Sequence, residues 1–200
     1  MQAETNVSHN DKYRLNNSRQ KINKHIANFI MIKKIISGGQ TGVDQAALTA
    51  AIECHVAHGG WCPRGRLAEN GSIPSQYQLT QTQSSDYDVR TRLNIEDSDG
   101  TLVLLPSHTK KITDGTLLTM QYAQQKNKPL LVIDLSIEAR IDKVIHWVQK
   151  NHIAVLNIAG PRESQSPGIY QDSLNFLKKI IPDLILHTDK TQDHLCAAKL

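Results

Sequence analysis

The sequence predicts an α/β fold: a parallel sheet covered by helices on both faces. Short apolar runs of β type alternate with segments whose apolar residues recur at helical spacing, the order expected of strand–helix crossovers. The runs are apolar throughout rather than alternating, as strands buried on both faces are. Two hundred residues are enough for one such domain with a full core.

The elements follow in order. Ile35-Ile36 is a β-branched strand that breaks at Gly38-Gly39. From Val43 the apolar positions Ala46, Ala47, Ala50, Ala51 and Cys54 mark one helical face of small residues, able to sit close on a sheet. Val56-Ala57-His58 is a second short strand, and Trp61 to Tyr87 reads as a long irregular stretch punctuated by Pro63, Gly65, Gly71 and Pro74. Loops of that length in compact domains are functional or disordered. Asp88 to Asp97 is helical, and Thr101 to Leu105 is a buried strand closed by Pro106. A helix over Thr116 to Lys126, a strand over Pro129 to Asp134 and a helix carrying Ile141, Val144, Ile145 and Val148 continue the alternation. A strand over Ile153 to Ile158, a loop from Gly160 to Ser164 and a helix with Tyr170, Leu174, Leu177 and Ile181 inward complete it. Right-handed crossovers place these helices on both faces, a Rossmann-like architecture in a single domain. The domain spans 31–182, between a polar, basic extension (1–30) and a C-terminal tail (183–200).

Charge and cysteine usage narrow the function. Of the net charge of +4, a balance of +3 lies in residues 1–30, on Lys12, Arg14, Arg19, Lys21 and Lys24 against Glu4 and Asp11. The domain is nearly neutral, which argues against a nucleic-acid footprint on it. Cys54, Cys62 and Cys196 are odd in number and form no C-x-x-C, as suits free thiols in a reducing cytoplasm. Neither a membrane span nor a secretory signal is indicated.

In such sheets ligands sit at the carboxyl ends of strands. Three of those ends carry Gly beside Ser, Thr or Arg: Ser37 to Gly42, Thr113 to Thr116, and Gly160 to Ser164. Gly38, Gly39, Gln40, Thr41 and Gly42 lead into a helix N-terminus, whose unpaired N–H groups and partial positive charge favour phosphate or carboxylate. The turn is neither G-x-G-x-x-G nor a Walker A, because Val43-Asp44 stands where the latter has Lys-Ser/Thr. Gly115, Thr116, Gly160, Glu163 and Ser164 extend the candidate phosphate site. Arg64, Arg66 and Arg162 offer bidentate guanidinium forks for an anion, against the alternative of surface charges or loop salt bridges. Trp61 is either a stacking platform for a planar ring or a core residue. Asp44 either caps its helix or activates water, and Glu163 carries the same ambiguity. Cys54, His55, His58 and Cys62 match no standard zinc spacing, so no metal site is assigned. No catalytic set is recognisable either.

Several of these segments together, Ile36 to Asp44, Gly60 to Glu69, Arg90 to Asn94, Asp97 to Thr101 and Ala159 to Ser164, resemble the molybdenum cofactor carrier family, the circularly permuted YpsA branch of the SLOG Rossmann-like superfamily. The resemblance runs from about Met31 to about Ile181. It implies a homo-oligomer that binds a small phosphate-bearing ligand, molybdenum cofactor or a nucleotide. Other SLOG-related families cleave nucleotide N-glycosidic bonds or sense nucleotide-derived signals, and these are the competing expectations. One departure stands out. The family's third turn usually reads Gly-Gly-Thr, whereas this chain has Asp114-Gly115-Thr116, and an ionised Asp repels phosphate.

Overall fold

Five parallel strands form the central sheet: β1 (Lys34–Ile36), β2 (Ala57–Gly59), β7 (Gly100–Leu105), β8 (Leu130–Asp134) and β9 (Val155–Ala159). They are ordered β2-β1-β9-β7-β8, so the last strand in the sequence lies at the centre, paired with β1 on one side and β7 on the other. Four short strands, β3 (Trp61–Cys62), β4 (Leu67–Ala68), β5 (Gly71–Ser72) and β6 (Thr80–Gln81), organise the long stretch after β2 into two small pairings. The helices are α1 (Val43–Glu53), α2 (Tyr87–Glu96), α3 (Asp114–Gln125), α4 (Ile141–Lys150) and α5 (Ile169–Ile185). This computed structural model describes residues 32–106, 114–135 and 141–185. The predicted extension at 1–30, Thr113, the Asp114 side chain and the tail beyond 185 lie outside them.

The two faces of the sheet have different chemistry, because side chains alternate along each strand. Ile35, Leu102, Leu104, Leu131, Ile133, Leu156 and Ile158 pack with α1, α4 and α5 into the main core. The small face of α1 lets it approach closely: Ala46, Ala47, Ala50 and Ala51 are fully buried, and α1 packs along α5. On the opposite face stand Ile36, Thr101, Val103 and Asn157, under α2 and α3, which pack on each other. Asn157 and Thr101 are buried polar residues at the sheet centre, and the Asn157 amide donates to Thr101 Oγ1 at 3.2 Å.

The stretch after β2 has a core of its own. Leu48 of α1, Cys62, Ala68, Ile73 and Tyr77 are buried together, with Leu79 packed against them. Arg66 holds the segment from within: its guanidinium donates to the carbonyls of Ile73, Leu79, Pro74 and Tyr77. At the other end of the sequence α5 continues through Pro182 to Ile185, past the predicted boundary at 182.

Candidate functional site

β1, β9 and β7 are adjacent and parallel, so their carboxyl ends lie together at one edge of the sheet. The first turn leaves β1 through Ser37, whose hydroxyl donates to the Ile158 carbonyl at 2.7 Å and fixes the end of β1 against β9. Gly39 and Gly42 then adopt positive φ of 77° and 72°, which L side chains rarely enter. The Gly42 position is also crowded by backbone: an added Cβ would lie 2.5 Å from the Pro161 carbonyl oxygen. The first and third turns are thus packed main chain to main chain.

Between these turns and the polar face of the sheet lies a cleft of about 640 Å³, counting the part open to solvent. Gly38 and Gln40 line it from the first turn, Gly115 and Thr116 from α3, and Gly160 and Arg162 from the third turn. Asn157 lines it from the sheet. Tyr87, Arg90, Thr91 and Asn94 line it from α2, at the i, i+3, i+4 and i+7 positions of one helical face. Asp86 caps that helix by accepting the Asp88 N–H at 2.9 Å, which orients its first turn toward the cleft.

The centre of the cleft is an ion pair. Arg90 Nη1 lies 2.6 Å from Asp44 Oδ2, with the Arg90 side chain 14% and the Asp44 side chain 6% exposed. The same Asp44 oxygen accepts the Gln40 N–H at 3.2 Å. The Arg90 guanidinium occupies the space beside Gly38, where an added Cβ would fall 1.3 Å from Nη1. Its Nε is buried without a hydrogen-bond partner, and such an orphan donor costs free energy unless something fills it. Asp44 therefore serves as a brace for the turn and for Arg90.

Part of the predicted anion turn is satisfied internally. The Thr41 N–H donates to Gln40 Oε1, which also accepts the Glu69 N–H. The Val43 N–H is taken by the Pro161 carbonyl. Thr41 Oγ1 donates to Glu69 Oε1, and Ser164 gives the Glu69 carboxylate both its N–H, at 3.1 Å, and its hydroxyl. Arg162 stands 3.8 Å from Glu69 Oε2, a loose ion pair that leaves its half-exposed guanidinium at the rim of the cleft. Burial pushes the Glu69 carboxyl upward, but hydrogen bonds from Ser164 and Thr41 and the charge of Arg162 outweigh it and hold it below its ordinary value.

The remaining candidates have structural partners or lie apart from the cleft. Glu163 accepts the N–H groups of Gly168, at 2.5 Å, and Tyr170, at 3.0 Å, which makes it a brace for the start of α5. Arg66 is committed to the four carbonyls described above. Arg64 is exposed on the same segment. The Trp61 indole N–H donates to Asp97 Oδ2 at 2.7 Å, and Asn94 holds the Trp61 backbone at both its N–H and its carbonyl. Trp61 is not among the residues lining the cleft. Cys62 is fully buried in the smaller core, where burial pushes its thiol above the usual range. In the sequence Arg90 belongs to a segment of the family resemblance but carries no predicted contact. Its position three residues after Tyr87 on a polar helical face was the available signal, but its partner Asp44 lies 46 residues away.

Comparisons with known proteins agree with this architecture. No curated protein matches the chain. A crystal structure of a "putative molybdenum carrier protein" from Syntrophus aciditrophicus SB superposes with a TM-score of 0.69 at 47% sequence identity, covering 76% of this chain and 95% of that one. A family model, the circularly permutated YpsA SLOG family, matches residues 35–181. That span holds the whole sheet apart from Lys34, together with all three turns of the cleft, and the chain belongs to the circularly permuted YpsA SLOG family.

Proposed function

We propose that this protein is a binding or carrier protein that holds a phosphate-bearing ligand, molybdenum cofactor or a nucleotide, in the cleft at the carboxyl edge of its sheet. The guanidinium of Arg90 carries this reading: it lines the cleft beside Gly38, and its buried Nε–H is unfilled. The phosphate would sit between Arg90, the backbone at Gly38 and the start of α3 at Gly115-Thr116, all of which line the cleft. Arg162 at the rim would add a second cation. Molybdenum cofactor fits these residues at its phosphate end, and when bound it would supply a flat pterin and its own metal. The similarity to a protein described as a molybdenum carrier supports that choice. The protein is proposed to act in the cytoplasm as a homo-oligomer.

The test is ligand-dependent thermal stabilisation of the purified chain, with molybdenum cofactor and with nucleoside monophosphates. Binding should raise the melting temperature, Arg90→Ala should abolish the rise, and bound molybdenum cofactor should survive longer than free. Chromatography after incubation with nucleoside monophosphates should detect no free base. Release of base would replace the carrier reading with that of an N-glycosidic hydrolase. No stabilisation by any of these ligands would remove the cleft as the site.

A further inference from the structure

Beyond its phosphate end, the cleft is lined mostly by small and polar residues, with the carboxylate of Asp88 and a single aromatic ring, Tyr87. Tyr87 opens α2 and is 37% exposed, one of the few large apolar side chains left in solvent among the described residues. The guanidinium carbon of Arg90 lies 5.9 Å from the centre of its ring. Tyr87 and Arg90 are neighbours on one helical stripe, so a ligand whose phosphate meets Arg90 has its next group over Tyr87. The other ring considered for this role, Trp61, points its N–H at Asp97 and does not reach the cleft lining.

We propose that Tyr87 is the specificity-determining residue of the cleft, the platform on which a planar heteroaromatic ring of the ligand stacks. This rests on the phosphate reading given above and narrows it. The ligand class is then a phosphate ester carrying a flat nitrogen heterocycle, such as a pterin or a nucleobase, rather than free phosphate or a sugar phosphate. Stacking tolerates different rings because every such ring has a π face, so the platform selects the class without naming the member. It also covers the exposed face of Tyr87 while leaving Arg90 for the phosphate.

The full chain is titrated calorimetrically with orthophosphate, ribose 5-phosphate and GMP, using the wild type, Tyr87→Ala, Tyr87→Phe and Arg90→Ala. GMP should bind wild type more tightly than either ring-free ligand. Tyr87→Ala should weaken GMP by about tenfold to a hundredfold and leave the other two within about twofold, and Tyr87→Phe should retain GMP binding. Arg90→Ala should weaken all three. Equal losses for all three ligands in Tyr87→Ala would mean that the ring only steadies Arg90, and would overturn the proposal. So would a wild type that prefers ribose 5-phosphate to GMP. If wild type bound none of the three, the phosphate reading itself would fall, and this inference with it.

Discussion

Gly38→Ala is a single methyl group aimed at the centre of the cleft. Gly38 does not adopt a positive φ, so alanine meets no backbone strain there. The main obstacle is Arg90, whose Nη1 and Cζ would lie 1.3 Å and 2.4 Å from the new Cβ, with Asp44 Oδ2 also close at 2.9 Å. Ordinary contact requires the guanidinium to move by about 2 Å, which breaks its 2.6 Å bond to Asp44. Removing one partner of a fully buried pair costs about 3–5 kcal/mol. Here the displaced Arg90 can turn to solvent, and Asp44 keeps the Gln40 N–H, so we expect about 2 kcal/mol. For a domain of this size that lowers Tm by roughly 4–8 °C. Arg90→Ala vacates most of that space and leaves only Asp44 Oδ2 in tight contact, so adding Gly38→Ala to it should cost about 1 kcal/mol or less. Urea unfolding of the four proteins in this cycle measures the coupling. Additive losses would refute the claim that Arg90 is what a side chain at position 38 meets.

Three further outcomes follow from the same contacts. Arg66→Ala removes four carbonyl partners and should destabilise the chain by about 2–3 kcal/mol in urea unfolding, while phosphate-ester binding by the remaining folded protein stays within about twofold of wild type. Glu69 is held below its ordinary value in the folded chain, so its contribution is fully present above the unfolded value of about 4.3 and is lost as pH falls through the lower folded value. The stability difference between wild type and Glu69→Gln should therefore shrink between pH 6 and about pH 3, and a difference that grew on acidification would reverse the sign of that argument. Gly42→Ala combines a positive φ with a Cβ 2.5 Å from a carbonyl oxygen, so it should lose more than about 2 kcal/mol with no rescue by Arg90→Ala.

The sheet was legible because continuous β-branched and aliphatic runs announce strands buried on both faces. Thr101 to Leu105 and Pro129 to Asp134 differ from β7 and β8 by one residue at their starts. The last strand is offset, spanning Val155–Ala159, because Ile153 is buried before the ladder begins. That the first and third glycine-bearing turns lie beside Gly115-Thr116 follows from the same pattern, since parallel topology sends the carboxyl ends of the strands to one edge. Side-chain commitments were not legible. Arg66 reads in sequence as an anion ligand, but its partners are backbone carbonyls placed only once residues 73–79 have folded back on it. Thr41 and Ser164 read as ligand donors, yet both are directed to Glu69, 28 and 95 residues distant. The structure of the long stretch from Trp61 was also hidden, because its two-residue strands are too short to show periodicity and its core borrows Leu48 from α1.

The alternation along β9 divides the consequences of mutation by odd and even position. Leu156 and Ile158 bury their side chains in the main core, while Asn157 faces the polar side; Asn157 and Ile158 both border the cleft. Substitutions at the even positions should surface as loss of folded protein, whereas those at Asn157, itself buried and bonded to Thr101, should cost stability as well as binding. A saturation scan of this one strand, read separately for abundance and for ligand retention, would therefore show binding lost in excess of folded protein chiefly at Asn157. A new ligand preference at Asn157 would draw on the stability reserve held by the residues on either side of it, because Thr101 would lose its partner.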